Sequence, residues 1–159
     1  MKRYQVRLLA VMLLAAVGLV AAGAGGASAS SHSKGTQAVK TRNIKGLGVV
    51  LVNPKGRTLY VFIPDKHQRV TCTGSCAKFW PPLKWKGSGK PKAGGAARSK
   101  LLGLDKDPAG GKVVTYDKWP LYTYVGDTAA GQATGQGLDA SGGDWFVISP
   151  SGKLVKHDA

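Results

Sequence analysis

Two stretches of the chain carry the same order of apolar, aromatic and acidic positions. The first is Thr58-Leu59-Tyr60-Val61-Phe62-Ile63-Pro64-Asp65, the second Pro120-Leu121-Tyr122-Thr123-Tyr124-Val125-Gly126-Asp127. Each follows a valine-rich run and a turn, Val49 to Gly56 in one case and Val113 to Lys118 in the other. Both therefore read as strand, turn, strand. Alternation sends Tyr60 and Phe62 to one face and Leu59, Val61 and Ile63 to the other, so the strand is expected to be covered on both sides. Trp145 to Ile148, the turn Ser149-Pro150-Ser151-Gly152 and Lys153 to Val155 form a third hairpin candidate. Leu, Tyr, an aromatic and an Asp recur at a constant offset, which marks an internal duplication. A lone hairpin is marginal in water, so the two repeats should pack into one domain with Tyr60 and Tyr122 at related positions.

The expected fold class is mainly β: a single compact domain of two duplicated hairpin-containing repeats with a long basic Gly/Pro-rich connection. Repeat 1 is placed at about 47–83, the connection at 84–106 and repeat 2 at about 110–152, within a domain spanning 47–156. Before it, residues 1–29 read as a signal peptide. Lys2, Arg3 and Arg7 precede an apolar run, and Ala27-Ser28-Ala29 fits a cleavage site. The run is shorter than the roughly 20 residues that span a bilayer, so no membrane span is expected after cleavage. Residues 30–46 are poor in apolar side chains and read as a flexible tether.

Composition sharpens this picture. All eight acidic residues are Asp, and 23 Gly and eight Pro argue for a turn-rich β protein over a helical one. The formal charge is +15, and the leader holds only three of the basic residues. Outside the cell such a chain meets anionic wall polymers, headgroups and acidic polysaccharides. Nucleic acid is not an expected partner.

Cys72-Thr73-Gly74-Ser75-Cys76 holds both cysteines. In an exported chain this pair is expected to oxidise. The alternatives are an active redox pair or Cu(I) ligation, with His67 as third donor. Phe79-Trp80-Pro81-Pro82 follows, and Trp80 either packs over the cysteine loop or joins Trp119 and Trp145 as a ligand-facing aromatic. Asp65 and Asp127 either take backbone N–H bonds from the next turn or pair across a pseudo-two-fold axis beside Tyr60 and Tyr122. The glycine-rich run from Gly126 to Gly143 lacks the Lys-Ser/Thr of a phosphate loop and reads as irregular backbone over the sheet. His32, His67 and His157 are far apart in the chain, and no nucleophile–base set follows from spacing.

These motifs resemble a bacterial family of secreted proteins and predicted lipoproteins with a repeated Tyr-x-(Phe/Trp/Tyr)-x-x-Asp signature. Tyr60, Phe62 and Asp65 carry it first, then Tyr122, Tyr124 and Asp127. The family's cysteine and Trp-Pro-Pro segment looks like Cys72, Gly74, Cys76, Ala77 and Trp80 to Pro82. Its ending looks like Gly135-Gln136-Gly137 and Trp145 to Pro150 with Gly152. The resemblance implies an extracytoplasmic repeat protein, often lipid-anchored, of unassigned molecular function. This chain has no Cys near the cleavage site to carry a lipid. The expectation is an exported, non-enzymatic domain without cofactor that binds an anionic or carbohydrate envelope component. The alternative is an extracytoplasmic redox or Cu(I)-handling protein working through Cys72 and Cys76.

Overall fold

Backbone pairing begins earlier than the apolar pattern suggests. The computed structural model describes residues 37–65 and 69–156, all within one unit of the chain. Strand β1 (Gln37–Ile44) turns into β2 (Gly48–Val52), and the chain returns through β3 (Tyr60–Phe62) to a 3-10 turn at Ile63–Asp65. Helix α1 (Ser75–Phe79) follows, then the short strands β4 (Lys84–Trp85) and β5 (Lys92–Ala93) and a 3-10 turn at Ser99–Leu101. The second half is β6 (Leu102–Lys106), β7 (Lys112–Tyr116), β8 (Trp119–Pro120) and β9 (Trp145–Val147).

Three expectations need correction here. The tether does not reach residue 46, because Gln37–Ile44 is a strand antiparallel to β2, with Lys40 opposite Val52 and Ile44 opposite Gly48. Its two consecutive apolar residues, Ala38 and Val39, are both buried, and the β2 edge supplies partners for its backbone. The basic connection is also more ordered than its composition implies. Leu102–Lys106 pairs with β7 along its length, and β5 runs parallel to β1. Each repeat thus starts one strand earlier than its hairpin, at β1 and at β6. Residues 1–36, on which the expected signal peptide falls, lie outside the described residues.

The two hairpins close by different turns. Asn53 Oδ1 accepts from the N–H groups of Lys55 and Arg57, both at 3.0 Å, and Gly56 takes φ 81°. In the second repeat, Asp117 and Lys118 adopt φ 47° and 69°, a two-residue turn whose twist matches the strands. Beyond the turns the halves correspond bond for bond. Leu59 N–H donates to the Leu51 carbonyl and Leu121 N–H to that of Val114, both at 3.0 Å. Tyr60 and Tyr122 exchange reciprocal N–H···O bonds of 2.9 Å, which puts the pseudo-two-fold axis between them.

The halves also exchange their closing segments. β9, from the end of repeat 2, pairs with β3 of repeat 1, placing Tyr60 opposite Val147 and Phe62 opposite Trp145. Residues 79–83, from the end of repeat 1, run along 121–125 of repeat 2. There Leu83 N–H donates to Leu121, Thr123 to Pro81 and Val125 to Phe79, at 2.7–3.0 Å. One core, around Leu51, Leu59, Val61, Val114, Leu121 and Ile148, fills one face. The aromatic core lies on the other, with Tyr60, Phe62, Trp80, Tyr122 and Trp145. The predicted alternation of Tyr60/Phe62 against Leu59/Val61 is what divides them.

Candidate functional site

Each motif Asp serves the opposite repeat. Tyr60 Oη donates to Asp127 Oδ2 at 2.7 Å, and Tyr122 Oη donates to Asp65 Oδ2. The other oxygen of each carboxylate faces its own chain. Asp65 Oδ1 accepts from Thr71 N–H at 2.8 Å and from the Thr71 hydroxyl; Asp127 Oδ1 accepts from Thr134 N–H at 2.8 Å and Oγ1 at 2.7 Å. One oxygen of each Asp thus takes a backbone N–H further along its own repeat, as in the first reading. The other bonds the tyrosine of the opposite repeat and not the second Asp. Burial raises the pKa of Tyr60 and Tyr122 far above 10.0, and the hydrogen-bonded carboxylate adds to this in each case. Burial also pushes Asp65 up from 3.8, against the pull of its Thr71 and Tyr122 donors. Tyr60, Tyr122 and Asp65 are 0% exposed and Asp127 is 4%, so this centre holds the repeats together and offers no surface to a substrate.

Four rings are stacked beneath these pairs. Phe62 lies on Trp145 (centroids 4.3 Å), Trp145 on Trp80 (3.8 Å) and Trp80 on Tyr124 (4.2 Å). The Tyr60 ring stands edge-on to Trp80 at 5.5 Å, and Tyr122 stands edge-on to Trp145 at 5.2 Å, so the stack obeys the same pseudo-symmetry. Glycine lets the loop after the second repeat lie on this stack. A Cβ on Gly135 would come within 2.7 Å of Trp80, and one on Gly143 within 3.2 Å of Phe62. The irregular backbone expected for Gly126 to Gly143 is thus an aromatic cover. Trp80 and Trp145, offered as ligand-facing candidates, are buried at 1% and 0% exposure. Trp119 is half-buried against the aliphatic core and faces no cleft described below.

Cys72 and Cys76 are joined, S–S 1.96 Å, at the start of α1, and Cys72 is buried in the aromatic core. His67, the third donor of the metal alternative, lies outside the described residues. Among the described residues no cluster of three metal-ligating side chains forms.

Two accessible clefts lie elsewhere, against β1, the Pro54 turn and β4. A cleft of about 290 Å³ is lined by Gln37, Ala38, Pro54, Leu83, Lys84, Trp85, Lys86, Gly87 and Val114. A second, of about 260 Å³, is lined by Lys40, Thr41, Arg42, Val52, Pro54, Lys55 and Gly56. Pro54 borders both, and no acidic side chain lines either. Lys84 points away, bonding Asp107 and the Gly110 carbonyl (3.0 Å), so its stem faces the first cleft without its charge. Lys40, Arg42, Lys55 and Lys86 have no carboxylate partner among the described residues. The basic residues of the connection were visible in the sequence, but Lys40, Arg42 and Lys55 were not linked to them. Only the strand at Gln37–Ile44 brings them together.

A family model described as a secreted repeat of unknown function matches residues 42–84 and 103–149, more than half of the chain. The chain belongs to that family. The two matched segments begin within β1 and at β6, so the secreted repeat starts with the strand that precedes each hairpin. No curated protein and no solved structure matches the chain. Among the described residues no helix is long and apolar enough to cross a membrane.

Proposed function

We propose that this secreted repeat is a non-enzymatic domain, exported by its N-terminal leader, that binds an anionic or carbohydrate component of the bacterial envelope along the β1–β4 edge. The observation that carries this reading is the pair of clefts meeting at Pro54, with Lys40, Arg42, Lys55 and Lys86 around them and no acidic lining. The Tyr–Asp centre supports it from the other side: the most polar buried groups of the fold are committed to joining the repeats. Lys90 and Lys92 of the same connection line neither cleft.

Exposed cations are screened over about 8 Å at physiological ionic strength, so retention on an anionic wall polymer should fall steeply with salt. Replacing Lys40, Lys55 and Lys86 together with Gln should reduce retention at low salt and flatten its salt dependence. Replacing Lys90, Lys100 and Lys153 instead keeps the charge change and spares the clefts. Equal loss in the two triple variants would reduce the reading to net charge alone.

A further inference from the structure

The two clefts differ in chemistry, and that difference narrows the ligand. The inference rests on the envelope-binding reading above and concerns the same edge. The first cleft is walled mainly by Ala38, Leu83, Trp85 and Val114, with the stem of Lys84, and Gln37 and Lys86 are its polar side chains. Sugar hydroxyls or phosphate oxygens seated against that apolar wall would lose water for few partners, which is costly. The second cleft, across Pro54, presents Lys40, Arg42 and Lys55. An apolar slot abutting an unpaired cationic one is complementary to a molecule with a tail and an anionic head.

We infer that the edge binds a single-chain anionic amphiphile as a monomer, its head over Lys40, Arg42 and Lys55 and its tail across Pro54 in the apolar cleft. The size is in keeping with one chain. About 290 Å³ holds roughly ten groups the size of a water molecule, at the low end of ligand cavities and too little for a two-chain lipid. Trp85 fixes the far wall, its Nε1 donating to the Gly89 carbonyl at 3.1 Å. That bond leaves the indole without a free polar atom in the slot.

The test is a calorimetric titration of the oxidised, folded chain with alkyl phosphates of increasing length up to decyl phosphate, below micelle formation. Burial of the tail predicts an affinity gain of about fourfold per methylene. Decyl maltoside should bind at least tenfold more weakly than decyl phosphate, and a variant combining Lys40→Gln, Arg42→Gln and Lys55→Gln should erase that preference. Trp85→Ala should weaken decyl phosphate at least tenfold while leaving polyphosphate binding within twofold. The length series needs no variant, so it decides even if Trp85→Ala fails to fold. Salt-sensitive polyphosphate binding with a flat length series would sink the amphiphile and leave the anion reading standing. Equal affinity for the phosphate and the maltoside would overturn the anionic head. Binding to phosphatidylglycerol vesicles but to no monomer would overturn monomer capture. Failure of polyphosphate and alkyl phosphates alike would remove the amphiphile and the anionic form of the envelope reading together.

Discussion

The two repeats agree inside and disagree at their edges. Inside, Leu59 matches Leu121, Tyr60 matches Tyr122, Asp65 matches Asp127 and Trp80 matches Trp145, each making the same contact as its counterpart. At the outer strands the correspondence breaks down in charge. Arg42 of β1 lies opposite Val50, and in the second repeat the place opposite Val113 is taken by Asp105. Asp107, two residues on, pairs with Lys84, whereas Lys40 and Arg42 have no such partner among the described residues. The interior is constrained because a change on one side must fit a ring or carboxylate on the other. The edges carry no such demand, so the outer strand of repeat 1 is free to take on the proposed binding role.

The largest effects should come from the shared interior, and they should come in equal pairs. Trp145→Ala and Trp80→Ala each empty one place in the four-ring stack and should cost about 3–5 kcal/mol in urea unfolding. A difference of more than about 2 kcal/mol between them would show that the pseudo-symmetry is geometric and not energetic. Alkaline pH probes the same centre without mutation. The folded pKa values of Tyr60 and Tyr122 lie above the ordinary 10.0, so their contribution is full below pH 10 and is lost as pH rises. At pH 11 each should cost about 1.4 kcal/mol, and phenolate absorbance from these two should appear only with unfolding. Phenolate absorbance from all the tyrosines on a still-folded chain would contradict it.

Somewhat smaller, Tyr60→Phe and Tyr122→Phe should each cost about 2 kcal/mol, because a buried carboxylate loses a donor. The disulfide sharpens the comparison, since Gly135 rather than a cysteine follows Thr134 in the second repeat. Closing so short a loop stabilises by about 2 kcal/mol on the chain-entropy model, so Cys72→Ser with Cys76→Ser should lower stability by that amount. If the double variant also gains Cys-independent function or loses binding to anions, the bridge is more than a staple. Smallest of all, Lys40, Lys55 and Lys86→Gln should change stability by less than about 0.5 kcal/mol while altering binding.

Much of this was legible in the chain because the strands announce themselves by alternation. Val49 and Val50, Tyr60 to Phe62 and Val113 to Tyr116 are β-branched or aromatic and fall into strands, and the split of Tyr60 from Leu59 reappears as two cores. β1 was hidden because only Ala38, Val39 and, at its end, Ile44 mark it; the residues between are polar. The exchange of closing segments leaves no local signal, since a strand's sequence does not name its partner. Two clues to the Tyr–Asp centre were nevertheless present. A Thr follows each motif Asp, six residues on in the first repeat and seven in the second, and a Trp follows each motif at nearly the same remove. Reading Trp80 and Trp145 as members of the repeat would have placed them in the core. The clefts could not be seen, because their walls come from β1, the Pro54 turn, β4 and β7.

The exchanged closing segments imply a history as well as an architecture. A polypeptide holding only one repeat would expose the strand edge that its own tail cannot reach, and a second copy would supply the missing tail. Two such polypeptides would close as a symmetric homodimer, with the Tyr–Asp bonds running between chains. Joining them end to end converts that concentration-dependent association into an intramolecular one. Once joined, the copies were free to differ wherever they did not touch, and one edge could turn basic while the other acquired Asp105 and Asp107. A chain nicked between 87 and 91 should therefore stay assembled as two fragments, neither of which can close its sheet alone.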